Sequence, residues 1–289
     1  MRFLMEKKWK LAFSKMIMVS FTVSLLLLLT QPLIGQSVES EKDTNYILVK
    51  ELDELAIFIT TDNLQNVYVA TLKNTIQKYD SKGELLFTYN NENYGEASLI
   101  DASNPLRVLV YYDEYLTIVV LDRTLSELYI YDLINYGFHQ VNEVISTPDN
   151  GLWLYDEWTN QLKRIGQQGE IIVASNDLSQ VLGFELTPTQ IILENNNIYL
   201  YDNDKGILVF DLYGQYLKKI DIKSVYKIHI KGNELSYFNN HQLHFYHLKT
   251  KETYTKKLPY IDDVVQVFKE NSILYMNIAG SVFLFKEKN

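Results

Sequence analysis

The sequence predicts an all-β protein: a six-bladed β-propeller whose last blade is closed by the N-terminal strand, preceded by a signal helix. Three observations predict it. Runs of four to eight residues alternate or cluster apolar side chains, which is the strand pattern. These runs recur as a unit of about forty residues. The last unit is one strand short, and a spare strand stands before the first.

The clearest part of the unit is a hairpin. Its centres fall at Tyr68, Leu109, Trp153, Tyr199, Ser236 and Leu274, in steps of 41, 44, 46, 37 and 38 residues. That spacing suits one four-stranded blade per unit. A strand is expected before each hairpin, at residues 55–59, 98–100, 141–145, 180–184, 225–230 and 264–268. A fourth strand follows most hairpins, as at Glu84-Leu85-Leu86-Phe87 and Gln215-Tyr216-Leu217-Lys218. After Phe285 only four residues remain, so the sixth blade lacks its last strand, while residues 46–49 have no other partner. Pairing the two closes the ring and removes an open edge. An open β-sandwich, the alternative architecture, gives these segments no role.

Turn chemistry supports the repeat. Thr61-Asp62-Asn63-Leu64-Gln65-Asn66-Val67-Tyr68-Val69-Ala70, followed by Ile76-Gln77-Lys78-Tyr79-Asp80-Ser81-Lys82-Gly83, resembles a blade of the six-bladed NHL/TolB-like propellers. Leu208-Val209-Phe210-Asp211-Leu212-Tyr213-Gly214-Gln215 repeats the second half. Asp caps such a tight turn and Gly accepts a positive φ. The fifth and sixth units lack this Asp-and-Gly turn. The resemblance implies a fold and no particular activity.

With 47% apolar and 13% aromatic residues, 22 of them Tyr, the chain has ample material for a β core. It has no cysteine, which excludes disulfides, zinc–thiolate and iron–sulfur sites, a cysteine nucleophile and a lipid-bearing cysteine. Arg2, Lys7, Lys8, Lys10 and Lys15 precede an apolar run at 16–29, and Gln31-Pro32 follows it. This is the form of a secretory signal, with Gly35 or Ser37 as the small residue for cleavage. The expected organisation is a signal peptide at 1–35, a linker at 36–45 and the propeller at 46–289. The alternative is an uncleaved anchor crossing the membrane at 16–34. Both place the rest outside the cytoplasm, in the periplasm or associated with the outer envelope. Residues 1–35 hold five basic residues and one acidic one, so the remainder carries 22 basic and 35 acidic residues, a formal charge of −13. Such a charge disfavours nucleic acid and anionic membrane surfaces as partners.

In a propeller, the loops between the second and third strands of each blade share a face with the blade-to-blade connections. The candidate binding face therefore comprises Asp113, Glu114, Tyr115, Asp156, Glu157, Trp158, Asp202, Asp204, Asn239 and Asn240. Its chemistry suits a cation, a basic partner or a sugar stacked on Tyr115 and Trp158; the plainer reading is that Asp and Asn form hairpin turns. Asp202-Asn203-Asp204 suggests a calcium ion, the one cofactor in question, but the Gly and distant Glu of a calcium loop are missing. His241, His244 and His247 do not share a strand face, so they predict no metal site. No nucleophile elbow, phosphate loop or zinc-protease motif occurs. The expected function is that of an exported, non-catalytic binding or scaffold protein. It would be monomeric and would recognise a protein or envelope component through its loop face. The alternative is a metal-dependent hydrolase or lyase with its site in the central funnel.

Overall fold

Four repeats each fold as an antiparallel sheet of strands consecutive in the chain, because short polar turns favour a return alongside the preceding strand. The computed structural model describes residues 45–260 and 262–288. The predicted signal or anchor at 1–35 and all of the linker except Asn45 lie outside the described residues. In chain order the strands are β1 (Tyr46–Thr61), β2 (Val67–Thr71), β3 (Thr75–Tyr79) and β4 (Leu85–Asn90), then β5 (Leu99–Asp101), β6 (Val108–Tyr112), β7 (Thr117–Leu121) and β8 (Glu127–Asp132). Next come β9 (Val141–Ser146), β10 (Leu152–Asp156), β11 (Gln161–Ile165) and β12 (Ile171–Ala174), then β13 (Gln190–Glu194), β14 (Asn197–Asp202), β15 (Gly206–Asp211) and β16 (Tyr216–Ile220). The last are β17 (Ile228–Lys231), β18 (Glu234–Asn239), β19 (Gln242–His247) and β20 (Thr253–Lys256), followed by β21 (Val264–Glu270), β22 (Ile273–Ile278) and β23 (Ser281–Glu287).

Strands β5–β8, β9–β12, β13–β16 and β17–β20 each form a four-stranded sheet, and a seven-stranded sheet runs β21-β22-β23-β1-β2-β3-β4. Strand β1 serves both ends of the chain. Tyr46, Ile47 and Leu48 pair with Glu287, Lys286 and Phe285, and Phe58 to Thr61 pair with Ala70 to Val67. The spare segment and the strand ending the chain therefore pair, as the missing-strand reasoning expects. Register breaks after Glu51 and after Ala56 divide the two halves of β1.

Apolar side chains fill the spaces between neighbouring sheets. Tyr68 and Val110 meet between the first and second groups of strands, Leu109 and Leu154 between the second and third, and Trp153 and Phe210 between the third and fourth. Val209 and Leu235, then Phe245 and Leu274, continue the series. Ile59 and Val69 pack on Tyr275 and Leu284, so the two halves of the seven-stranded sheet meet as separate sheets do. Each fully buried Leu, Val or Phe in these layers contributes about 1.5–3 kcal/mol relative to exposure. Strands β2, β6, β7 and β10 are buried at every residue, which explains their unbroken apolar runs. The outermost strands β4 and β16 are largely exposed.

Tyrosine ties the sheets together. The Tyr111 hydroxyl donates to the Val141 carbonyl at 2.7 Å, and Tyr275 donates to the Gln65 carbonyl at 2.6 Å. Tyr201 donates to the Val225 carbonyl at 2.7 Å and accepts from its N–H at 2.9 Å. Each residue offers an apolar ring to one sheet and a polar tip to the next. Much of the tyrosine content is thus explained by packing.

Two expectations need correction. Residues 180–184 do not form a strand: Leu178–Leu182 is a short helix, α1, and the inner strand of that sheet is β13, ten residues later. The Asp177 carboxylate accepts from the Ser179 N–H at 2.9 Å, and Gly183 closes the helix at φ +77°. A side-chain cap at one end and a left-handed residue at the other stabilise a helical turn in place of extended chain. Strand β17 begins at Ile228 instead of Val225, whose backbone is held by Tyr201. The Asp-and-Gly turns form as expected. Asp80 Oδ1 accepts from the N–H groups of Lys82 and Glu84, and Gly83 has φ +79°. Among the described residues, no helix is long and apolar enough to cross a membrane.

Candidate functional site

Consecutive antiparallel strands send alternate turns to opposite ends of each sheet, so the predicted loop residues share one face. The structure divides them by role. Trp158 is 70% exposed and Tyr115 49%; Asp113, Glu114, Asp204 and Asn240 are exposed, and Glu157 and Asn239 half-buried. Asp156 and Asp202 turn inward, with 3% and 2% exposure. Asp156 accepts from the Trp158 N–H at 3.1 Å, the Thr159 hydroxyl at 2.8 Å and Lys163 Nζ at 2.6 Å. Asp202 accepts from the N–H groups of Asp204, Lys205 and Thr187 at 2.8–2.9 Å. Both carboxylates cap turns, and the donors around them occupy lone pairs that a cation would otherwise use. Next to Asp202, Gly206 sits at φ +94°, where an added Cβ would lie 2.8 Å from the Ile220 carbonyl oxygen.

The nearby histidines have separate partners. His244 stacks on Tyr237 at 5.0 Å, with its Nε2 3.0 Å from the Asn239 carbonyl oxygen. His247 Nδ1 accepts from the Thr250 N–H at 3.0 Å. Among the described residues, no three His, Cys, Asp or Glu side chains are grouped to hold a metal ion.

The innermost strands β1, β5, β9, β13, β17 and β21 contribute to a cavity of about 370 Å³. Polar side chains span the junctions between these strands. Asp101 on β5 accepts from Ser146 on β9, at 2.7 Å from its N–H and 2.6 Å from its hydroxyl. Gln190 on β13 donates to the Ile228 carbonyl at 2.8 Å and accepts from the Ile228 N–H at 3.0 Å. Gln266 on β21 accepts from the Ile59 N–H on β1 at 2.9 Å. Glu270 receives Lys231 from β17, and His229 Nε2 lies 3.2 Å away. Adjacent inner strands have no ladder between them, so these side chains supply the links.

Glu143 on β9 differs from the rest. It accepts the Ile191 N–H of β13, but its Oε2 is buried with no partner. Burial pushes its carboxyl up to about 7, although Lys227 and the Ile191 N–H pull the other way. Burial acts upward on Glu270 as well, but there the adjacent His229 and Lys231 overcome it and hold the carboxyl below its ordinary value. Sequence reasoning did not single out these axial residues. The only local sign is a polar residue within an apolar run, such as Gln266 between Val265 and Val267.

A second cavity, of about 500 Å³, opens at the opposite face, among the turns joining the first and second strands of neighbouring sheets. Asn63, Ser103, Asp149, Asn195 and Asn196 stand at its wall, with Trp153 at its base.

No family model and no curated protein matches the chain. Solved structures match its fold. A catalytically inactive virginiamycin B lyase from Staphylococcus aureus with quinupristin aligns at 15% identity and TM-score 0.60, over 83% of this chain and 99% of that one. The Pan2 WD40 domain of Neurospora crassa aligns at 8% identity and TM-score 0.60, over 84% and 96%. BBS1N in complex with ARL6DN aligns at 10% identity and TM-score 0.55, over 85% and 97%. At such identities the likeness is one of fold, and the fold is a β-propeller.

Proposed function

We propose that this chain is an exported, non-catalytic binding or scaffold propeller that engages a protein or envelope component through its loop face. The observation that carries the reading is the exposure of Trp158 and Tyr115 on turns at the same end of their sheets as Asp113, Glu114 and Asp204. Large aromatic rings left in water among carboxylates fit a surface that a partner with apolar and basic groups covers. A protein-binding use of the fold is seen in the neighbour solved as BBS1N with ARL6DN. The blade count belongs to the same reading: with β1 shared between two blades, the seven-stranded sheet supplies two of six. Export rests on the basic and apolar pattern of residues 1–35.

The test is affinity capture from the native envelope with the wild-type chain and with a Trp158→Ala/Tyr115→Ala double variant. A partner retained by the first and lost by the second, at equal unfolding midpoints, supports the reading. A partner held equally by both overturns the choice of face. Recovery of the chain in the cytoplasmic fraction overturns export.

A further inference from the structure

The 500 Å³ cavity lies opposite the loop face and is independent of the function proposed above. Its volume falls within the range of small-molecule sites, about 300–1,000 Å³. Three pairs of strands build it. The β5–β6 turn brings Ser103, Asn104 and Pro105; the β9–β10 turn brings Thr147, Pro148 and Asp149; the β13–β14 turn brings Asn195 and Asn196.

Hydrogen-bonding capacity in this cavity is only partly used. Arg164 is committed to Asp149 through Nη2, and its unpartnered Nε–H is buried out of a ligand's reach, so the exposed amides supply the free capacity. Among the described residues, the Asn63 and Asn196 amides make no hydrogen bond. Asn104 and Asn195 use one side of the amide, accepting from the Leu106 N–H and donating to the Gly232 carbonyl respectively. The cavity thus offers free donors and free acceptors together.

Charge narrows the ligand class. Asp149 answers the Arg164 guanidinium and Glu194 adds a second carboxylate, so an anion meets no net positive charge. Leu212 and Pro148 are exposed apolar contacts beside the amides. A sugar ring has both kinds of surface: hydroxyls that donate and accept in adjacent pairs, and a C–H face. We propose that this cavity binds a neutral oligosaccharide, with the exposed amides of Asn63 and Asn196 reading its hydroxyls.

The full chain is screened on an array of neutral and acidic oligosaccharides, and each neutral hit is titrated by calorimetry. Ser103→Trp fills the mouth from an exposed position. Asn63→Ala removes one exposed amide and serves where the larger substitution impairs folding. The expected result is a neutral hit weakened at least tenfold by Ser103→Trp and about threefold by Asn63→Ala, at unchanged unfolding midpoints. Binding of acidic sugars alone, no binding of any neutral sugar, or binding that the variants leave intact overturns the proposal.

Discussion

Glu143 and Glu270 occupy inner strands of the same ring, and both are buried, yet their surroundings drive their carboxyls in opposite directions. Glu270 has Lys231 and His229 at hand, and these overcome the cost of burial. Glu143 has one backbone N–H and the field of Lys227, with one oxygen unmatched, and burial dominates. Burial sets the cost of the charge; the cations and donors within reach decide whether it is met.

The largest expected effect is on the pH dependence of stability. The Glu143 carboxyl is raised when folded, so its contribution is full below the ordinary carboxylate value near 4.5 and lost as the pH rises through about 7. Urea unfolding should show stability falling by about 2 to 3 kcal/mol from pH 5 to pH 8 through this group. Glu143→Gln should abolish that part of the slope; an unchanged slope would assign it elsewhere. Glu270 has the opposite sign: its contribution is present above the ordinary carboxylate value and is lost as the pH falls through its lowered one.

Removing the answered carboxylate comes next. Glu270→Ala leaves Lys231 and His229 facing an empty junction and should cost about 2 kcal/mol at pH 7, below the value for fully buried pairs because Lys231 is half-exposed. A cost near zero would mean that Glu270 and its partners are no better off than in water. Tyr201→Phe is the uncharged counterpart, stripping the Val225 N–H and carbonyl of their shared partner, and should cost about 1 to 3 kcal/mol. Lys227→Ala should move the Glu143 titration further upward, read by carboxyl NMR, with little change in stability. A downward move would show that Lys227 is not the cation acting on it. The smallest effect, within about 0.5 kcal/mol, is expected for Asp204→Asn on the exposed loop, whose turn is capped by Asp202.

Legibility followed the range of the forces. The hairpin centred on Trp153 was readable because its first strand is an apolar run, its second carries Leu162 and Ile165 among polar residues, and its turn is polar, all within fifteen residues. The strand expected at 180–184 failed because Asp177 and Gly183 bracket that run as helix caps, and the apolar content of the run is the same in either conformation. Topology alone puts the loop residues at one end of their sheets, but Asp156 and Asp202 could not be told from Asp113 and Asp204. Their inward turn depends on donors such as Lys163 and the Thr187 N–H, which fold back on them.

By itself the sequence determined the repeat, its period, and the pairing of the residues after Tyr46 with those before the C-terminus. Those features follow from local alternation, turn residues and the counting of strand edges. Only the tertiary structure decided which polar residues meet across the axis and which buried groups at the turn face go unmatched. Such contacts join residues far apart in the chain: Asp101 meets Ser146 across 45 positions, and Gln266 meets Ile59 across 207. No periodic pattern marks them, because each depends on what the adjacent repeat brings to the same height along the axis.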